Sequence, residues 1–351
     1  MTPSRGSAIA SARILIRATN WVGDSVLTMP AVQRLRELAP AAHIAVHCPA
    51  KLHDLWRHNP QLNEVLTNAA DLRAGRFDLA VVFPNSFRSA WECWRAGISR
   101  RVGFAGHWRR SLLTDVLTDP EQPSYRQVNV AGRRFKTKTF PTVRHQAHRY
   151  LDLIAHLGGN RELCPPKIWC GDSAVKKFLP ADGRPVCAIN AGAEFGPAKR
   201  WPADRFAAVA RQIDCRWLVL GGPGDVTLAN TIAAQLPDVV NVAGQTTLLE
   251  LCELLRACRV VLTNDTGPMH LAGAVGTPII AIFGSTSADL TGPLGAPVTV
   301  IREPVECSPC YQRHCPIDFR CMNRITVKQV TAAVLSQTGL TPIPESNFSR
   351  P

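Results

Sequence analysis

The chain has 351 residues, of which 46% are hydrophobic, and it carries a net charge of +13. This length suits two domains, and the apolar content is enough for two buried cores. No stretch reaches the length of an apolar transmembrane helix, and residues 1–12 lack the apolar segment of a signal peptide, so we expect a cytoplasmic protein. In that reducing compartment most of the 12 Cys side chains should be buried as small hydrophobic groups.

The positive charge is concentrated in the first half of the chain. Residues 1–170 contain 24 Lys and Arg against 12 Asp and Glu, whereas residues 171–351 contain 16 against 15. A basic half indicates an anionic partner, such as nucleic acid, an acidic membrane surface or an acidic sugar; charge that serves only solubility is the alternative. The Arg100 to Arg110 region interleaves arginines with aromatics, as nucleic-acid platforms do, but no nucleic-acid-binding motif accompanies it.

The first predicted strand and helix place an acidic residue where ligands commonly bind. Residues Arg13 to Arg17 predict a buried strand, and a helical pattern runs from Ser25 to Leu38. Asp24 lies between them, just past the carboxyl end of the strand, at the edge where open α/β sheets bind ligands. Gly23 lets the backbone approach a ligand closely. The alternative is that Asp24 only caps the helix, as Asp often does.

The rest of the first half repeats this alternation of strands and helices. Strands are predicted at 43–48 and 77–83, and the second leads into a loop, Pro84 to Arg88, that contains Asn85. Residues 121–142 are polar and basic and predict a mobile loop before an amphipathic helix at 144–157. Prolines and glycines then indicate a linker. We therefore predict domains at 1–170 and 185–330, a linker at 171–184, and the end of the last helix with a tail at 331–351.

The second half restarts the alternation and carries two further candidate residues. A strand at 186–190 is followed by a long loop, 191–202, in which Lys199 supplies a compact charge suited to phosphate; a solvated surface lysine is the alternative. A strand at 217–220 leads into a Gly-rich turn that ends at Asp225, whose carboxylate could hold ribose hydroxyls or cap the next helix. The glycine spacing of this turn does not match GxGxxG.

The most informative stretch is 259–276, which predicts a strand, a tight turn and a helix leading to another strand. Asn264, Asp265, Thr266 and Gly267 form the predicted turn, and Pro268 suits the first helical turn because it needs no N–H partner. The unpaired N–H groups and the helix dipole at such a terminus favour a phosphate or pyrophosphate. His270, one turn further, could reach the same anion. A well-capped helix in an α/β core is the alternative.

Four cysteines lie close together near the end of the chain: Cys307, Cys310, Cys315 and Cys321. Zinc favours a tetrahedron of thiolates, but this spacing differs from a standard zinc ribbon and two prolines interrupt it. Structural thiols are therefore favoured over a metal site.

Four separated motifs resemble glycosyltransferase family 9, the ADP-heptose:lipopolysaccharide heptosyltransferases. They lie at 20–24, 84–88, 192–202 and 263–270, in the family's order, and the resemblance spans roughly Arg13 to Thr331. The third motif is most similar to the heptosyltransferase II members. The cysteine segment also resembles a tail found in many members, where no metal is implied. Pro268 departs from the residue that many members carry.

The resemblance implies a GT-B fold, in which two Rossmann-like domains with parallel sheets face each other across a cleft. It implies inverting transfer of heptose from ADP-heptose to the Kdo–heptose inner core of a lipopolysaccharide precursor, by a cytoplasmic enzyme in peripheral contact with the inner membrane. Asp24 is then the expected general base. The expected donor-binding residues are Lys199, Asp225, Asp265, Thr266, Gly267 and His270. The expected acceptor-binding residues are Gly23, Asn85 and Arg88, with the Arg100 to Arg110 region as a weaker candidate.

No metal, cofactor or nucleic acid is expected as a partner of this enzyme. Two other classes of protein fit the same residues: another nucleotide-sugar enzyme of GT-B architecture, such as a different transferase or an epimerase, and a non-catalytic nucleotide-binding protein. A panel of sugar nucleotides distinguishes them, because the second class binds nucleotide without sugar transfer.

Overall fold

The computed structural model describes residues 9–119 and 121–343. The chain folds as two compact units, one of Met1–Gln122 with Thr142–Trp169 and one of Pro123–Pro141 with Cys170–Pro351. The expectations for the first eight residues and for the tail beyond residue 343 lie outside the described residues. None of the helices within the described ranges combines the length and apolar composition that crossing a bilayer requires.

The first unit alternates strands with helices. Its elements are β1 (Arg13–Arg17), α1 (Val22–Leu38), β2 (His43–His47), α2 (His53–Trp56), β3 (Glu64–Leu66), α3 (Asp71–Ala74), β4 (Leu79–Val82), α4 (Phe87–Arg95), β5 (Arg100–Phe104), β6 (Asp115–Leu117) and α5 (Ala147–His156). The strands form one parallel sheet in the order β3-β2-β1-β4-β5-β6. Its two central strands, β1 and β4, are buried except for Arg13, which explains their apolar runs.

This strand order has a topological switch point between β1 and β4, where successive connections leave in opposite directions. Helix α1 follows β1 and begins at Val22, three residues before the predicted start, so Asp24 lies inside its first turn. The loop at 84–86 follows β4, and α4 begins at Phe87, inside the predicted loop of Pro84 to Arg88, so Arg88 is helical. The two predicted ligand-binding segments of this unit therefore flank the switch point.

The second unit repeats the plan and adds a hairpin. Its elements are β7 (Ser124–Val130), β8 (Arg133–Thr139), α6 (Ser173–Phe178), β9 (Val186–Asn190), α7 (Ala203–Ala210), β10 (Arg216–Leu220), α8 (Val226–Ala233), β11 (Val240–Asn241), α9 (Leu248–Ala257), β12 (Val261–Asn264), α10 (Gly267–Ala274), β13 (Ile279–Ile282), α11 (Ala288–Thr291), β14 (Val298–Ile301), α12 (Arg320–Asn323) and α13 (Val327–Thr338). The order β11-β10-β9-β12-β13-β14, again all parallel, puts the switch point between β9 and β12.

The prediction of a mobile loop over 121–142 is wrong, because β7 and β8 pair as an antiparallel hairpin there. Ala131 and Gly132 join the strands with φ of 50° and 72°, the left-handed conformation that tight hairpins require. Thr137 is buried, and its hydroxyl donates to the carbonyl oxygens of Pro309 and Cys310 at 3.3 and 3.2 Å. These contacts attach the hairpin to the second unit, whereas the predicted first domain includes it.

The predicted linker at 171–184 contains helix α6, which packs against α9. Glu253 of α9 is buried, and its carboxylate accepts hydrogen bonds from the Ala174 N–H at 2.7 Å and the Ser173 hydroxyl at 2.9 Å. The carboxylate thereby satisfies one of the N–H groups that the start of a helix leaves unpaired. This long-range capping, from a residue 79 positions away, makes part of the predicted linker helical.

Candidate functional site

The switch point of the second sheet holds an ion pair between two of the predicted residues. The Lys199 Nζ lies 2.5 Å from Oδ2 of Asp265, and the two side chains are 13% and 5% exposed. Lys199 ends a short 3-10 turn in the loop after β9, and Asp265 directly follows β12. The same Asp265 oxygen accepts a hydrogen bond from the Thr286 hydroxyl at 2.6 Å. Lys199 is therefore not a solvated surface lysine.

Asn264, the last residue of β12, holds the loop that carries Lys199. Its side-chain amide donates to the carbonyl of Ala191 at 2.7 Å, and its side-chain oxygen accepts from the N–H of Trp201 at 3.0 Å. Trp201 is fully buried and donates its indole N–H to the carbonyl of Ile325. Both ends of the loop are thus fixed to the neighbouring strand, which gives the ammonium group of Lys199 a defined position.

The start of α10 lies two residues after Asp265. Thr266 is its N-cap, with extended backbone, and its side chain makes no capping hydrogen bond. The helix then begins with Gly267 and Pro268, so small side chains surround its first N–H groups. His270 is buried one turn further into the helix. Lys199 and the positive end of the helix dipole therefore lie side by side, an arrangement that favours an anion.

Asp225 follows β10, which pairs with β9 on the side opposite to β12, and it approaches the loop that carries Lys199. Its carboxylate accepts from the N–H of Gly222 at 3.2 Å and lies 3.6 Å from the Arg200 guanidinium. A Cβ atom at Gly192 would lie 2.4 Å from an oxygen of this carboxylate, so a side chain there would displace Asp225. The loops after β9, β10 and β12 thus bring together Asp225, Lys199 and the start of α10, as their positions at strand ends predict.

In the first unit, Asp24 is positioned by a residue that the sequence did not reveal. Trp21, not Asp24, is the N-cap of α1, and the Asp24 carboxylate accepts a hydrogen bond from Nε2 of Gln146 at 3.2 Å. The same amide group donates to the Tyr150 hydroxyl at 2.9 Å. Burial raises the pKa of Tyr150, and the nearby Asp24 raises it further, so this hydroxyl stays protonated at neutral pH. Asp24 itself remains partly exposed.

The residues after β4 differ in their freedom to bind a ligand. Arg88 has an 85% exposed side chain and lies 2.9 Å from Glu92, which also pairs with Arg17 at 2.8 Å. Burial opposes the ionisation of Glu92, but Arg17 and Arg88 outweigh it and lower its pKa. The Oδ1 of Asn85 is buried and accepts no hydrogen bond from the described residues, so its hydrogen-bonding capacity is left unused. Gly23 lies beside Asp24 in the first turn of α1.

The Arg100 to Arg110 region does not form the continuous basic surface that its sequence suggests. Arg109 is fully buried, with its guanidinium donating to the carbonyl of Phe104 at 2.8 Å. Arg100 pairs with Asp115 at 2.7 Å, and Arg101 donates to the carbonyl of Leu112 at 2.6 Å. These three arginines hold the end of the sheet together, and we therefore no longer count them among the candidate acceptor-binding residues.

The cysteines behave as small core residues. All twelve are free, and ten are buried. Burial raises the pKa of Cys307 and Cys310, and it raises that of Cys321 to about 12, so these thiols are protonated at neutral pH. Within residues 9–119 and 121–343, no three His, Cys, Asp or Glu side chains are grouped so as to hold a metal ion.

Comparisons with known proteins identify the family of this chain. The sequence profile of Glycosyltransferase family 9 (heptosyltransferase) matches residues 65–319. The lipopolysaccharide heptosyltransferase 2 of Escherichia coli K12 is 31% identical over 324 residues, which cover 83% of this chain and 88% of that protein. The lipooligosaccharide heptosyltransferase 2 of Haemophilus ducreyi is 30% identical over 316 residues, with 83% and 88% covered.

The fold has a matching solved structure as well. The structure of the E. coli ADP-heptose lipopolysaccharide heptosyltransferase II matches with a TM-score of 0.77 at 29% identity, covering 93% of this chain and 98% of that one. The predicted GT-B fold class is therefore confirmed, with two parallel six-stranded Rossmann-like sheets. The family profile covers more than half of the chain, and so this protein belongs to glycosyltransferase family 9, the heptosyltransferases.

Proposed function

We propose that this protein transfers heptose from ADP-heptose to the inner core of a lipopolysaccharide precursor, with inversion at the anomeric carbon. The observation that carries the proposal is the cation of Lys199, held by Asp265 beside the start of α10 at the switch point of the second sheet. This arrangement suits a pyrophosphate. The names of the relatives, lipopolysaccharide and lipooligosaccharide heptosyltransferase 2, support heptose as the sugar.

The donor pyrophosphate would contact Lys199, the N–H groups of Thr266 and Gly267, and His270. Asp225 would take the ribose hydroxyls, since carboxylates do so at the corresponding strand end of nucleotide-binding folds. Asp265 has the wrong charge to touch a pyrophosphate. Its role is indirect, because its carboxylate fixes the Lys199 ammonium at 2.5 Å and the Thr286 hydroxyl at 2.6 Å. In this proposal Asp265 positions the cation and does not contact the donor.

Departure of ADP places additional negative charge on the pyrophosphate, and that charge must be stabilised in the transition state. Lys199 and the N–H groups at the start of α10 supply fixed positive charge there. Groups that are already oriented reorganise little during the reaction, which is the main advantage of such a site. We propose that these protein groups suffice for the leaving group and that no divalent metal is needed.

Asp24 would act as the general base that takes the proton from the acceptor hydroxyl. One carboxylate is enough, because a direct displacement with inversion forms no covalent sugar intermediate. Gln146 donates a hydrogen bond to this carboxylate at 3.2 Å and thereby orients it. The positive end of the α1 dipole favours the ionised form that a base requires.

The acceptor would carry carboxylates from Kdo and phosphates from lipid A, which explains the charge of the first half without nucleic acid. Arg88 is the first exposed cation after the carboxyl end of β4, and Asn85 has a buried side-chain oxygen that accepts no hydrogen bond from the described residues. Because this acceptor is a lipid, we place the enzyme in the cytoplasm at the inner face of the cytoplasmic membrane.

The proposal is tested by incubating the purified protein with ADP-heptose and a Kdo–lipid A–heptose acceptor, and by measuring the mass of the product. A gain of one heptose, with the anomeric configuration inverted by NMR, is expected. A panel of other sugar nucleotides serves as the control for the donor, and a chelator tests metal independence. Transfer from another donor only, or ADP binding without any transfer, would contradict the proposal.

A further inference from the structure

Helix α4 presents three large aromatic side chains to solvent. Phe87, Trp91 and Trp94 are 48%, 36% and 51% exposed. In an α-helix these positions, i, i+4 and i+7, fall within a sector about 60° wide. The other face of α4, which includes Ala90 and Cys93, is buried against the sheet. The three aromatic residues, called the aromatic stripe below, are therefore not part of the core.

The surroundings of the aromatic stripe are cationic. The guanidinium of Arg95 lies 5.1 Å from the ring centroid of Trp91, and Arg88 on the same side of the helix is 85% exposed. Between residues 79 and 114 the sequence contains a single acidic residue, Glu92, which is buried and paired with Arg17. Exposed aromatic rings are thus bordered by arginines, with no exposed carboxylate in this segment to repel an anionic surface.

A fourth aromatic side chain is held outward close to α4. Trp108 is 95% exposed, and both it and His107 adopt the left-handed backbone conformation, with φ of 60° and 48°. The next residue, Arg109, is fully buried and donates hydrogen bonds to the carbonyls of Phe104 and Pro84. This anchor fixes the turn, and the 3-10 turn that follows, residues 110–112, lies beside α4.

We propose that the aromatic stripe, with Trp108 and the arginines beside it, docks into the headgroup region of an anionic phospholipid bilayer. Trp and Phe rings with flanking Arg are the combination that favours the membrane interface, since the rings enter the headgroup layer while the guanidinium groups meet lipid phosphates. A contiguous exposed aromatic surface on a folded unit indicates a docking site in general. The arginines beside the stripe favour an anionic lipid surface as the occupant.

Docking at this surface would serve the proposed transfer, on which this step of the inference rests. Helix α4 begins one residue after Ser86, so the candidate acceptor residues Asn85 and Arg88 lie at one end of the aromatic stripe. A bilayer contact along the stripe brings these two residues to the headgroup layer. The sugars of a lipid-anchored acceptor could then be reached while its acyl chains stay in the bilayer.

The direct test is flotation of the full-length protein with phosphatidylethanolamine vesicles, with and without phosphatidylglycerol. Trp91→Ser with Trp94→Ser should lower the vesicle partition coefficient about tenfold or more, because both rings lose their buried apolar area. The matched control is Tyr125→Ser with Trp169→Ser, which removes two aromatic residues of the second and first units that are 64% and 39% exposed. This control should partition like the unchanged protein.

Charge is tested separately. Arg110 is an exposed residue of the 3-10 turn beside α4. Arg95→Gln with Arg110→Gln should lower partitioning about 25-fold on vesicles that contain phosphatidylglycerol, since each basic residue near an anionic surface contributes about fivefold. The control is Lys176→Gln with Lys328→Gln, two exposed cations of the second unit. Equal partitioning of the aromatic, arginine and control variants would overturn the proposal. So would a switch from dimer to monomer in the Trp variant with unchanged partitioning, because the stripe would then bind a second copy.

The proposed membrane contact and the proposed heptose transfer can be refuted independently of each other. With a deacylated, water-soluble acceptor, the Trp91→Ser, Trp94→Ser variant should keep the kcat/KM of the unchanged protein, whereas with the lipid acceptor in vesicles it should lose at least about tenfold. Equal losses with both acceptors would place the stripe in sugar binding and overturn the membrane contact. If the unchanged protein transfers no heptose to either acceptor, the proposed function fails, and flotation still decides the membrane contact.

Discussion

The buried pair of Lys199 and Asp265 allows the sharpest quantitative prediction. Replacing Lys199 with Met removes the cation and leaves the Asp265 carboxylate, which is 5% exposed, with the Thr286 hydroxyl as a remaining partner. Removing one partner of a buried ion pair costs about 3–5 kcal/mol, and the hydroxyl places this case near the lower end, at about 3 kcal/mol. Lys199→Met with Asp265→Asn removes both charges and should cost clearly less than the sum of the single changes.

The effect on stability must be measured locally, around the ion pair, because a chain of two units need not unfold in one transition. Hydrogen exchange of β12 and α10 gives the free energy of opening around the pair in each variant. The coupling energy from the double-mutant cycle should be at least about 1.5 kcal/mol. Isothermal titration with ADP should show weaker binding for Lys199→Met. Additivity of the two changes within about 0.5 kcal/mol would refute the reasoning, since it would mean that the two groups act independently.

Three further predictions follow from single contacts. Burial and the charge of Arg17 lower the pKa of His47 to about 4. Between pH 6.5 and pH 4 the unfolded chain therefore binds more protons than the folded one, and the free energy of unfolding should drop by about 3 kcal/mol as the pH falls through this range. His47→Asn should flatten this pH dependence in urea titrations at several pH values. Gly192→Ala should displace the Asp225 carboxylate, lower stability by about 1–2 kcal/mol and weaken ADP binding in calorimetry. Gln146→Leu should lower turnover about tenfold with unchanged ADP affinity, and an unchanged rate would show that the amide does not orient the base.

The repeated alternation of buried strands and helices could be predicted from sequence. The apolar runs of β1, β9 and β12 are typical of strands covered on both faces, and polar or glycine residues mark where each one ends. Because parallel strands share one carboxyl edge, the same pattern predicts that Lys199 and Asp265 lie at the same edge of the second sheet. It also predicts that Asp24 lies at the carboxyl edge of the first sheet, whereas the switch point there follows only from the observed strand order.

What could not be predicted depends on contacts between distant parts of the chain. The hairpin of β7 and β8 contains few apolar residues, and it is held by Thr137, whose partners lie 172 and 173 positions away. Gln146 reaches Asp24 across 122 positions, and Thr286 reaches Asp265 across 21. A side-chain amide or hydroxyl of this kind carries no periodic signal, so only the folded structure shows which carboxylate it orients.

The central claim is that Asp24 is the base of a heptosyltransferase whose donor binds to the second unit. The measurement that tests it most directly is heptose transfer by Asp24→Asn, with ADP binding measured on the same sample. Asp204→Asn, which removes an exposed carboxylate from the first turn of α7, is the matched control and should be fully active. Turnover of Asp24→Asn should fall at least about a hundredfold while its affinity for ADP stays the same. Full activity of Asp24→Asn, or an equal loss in the control, would contradict the account.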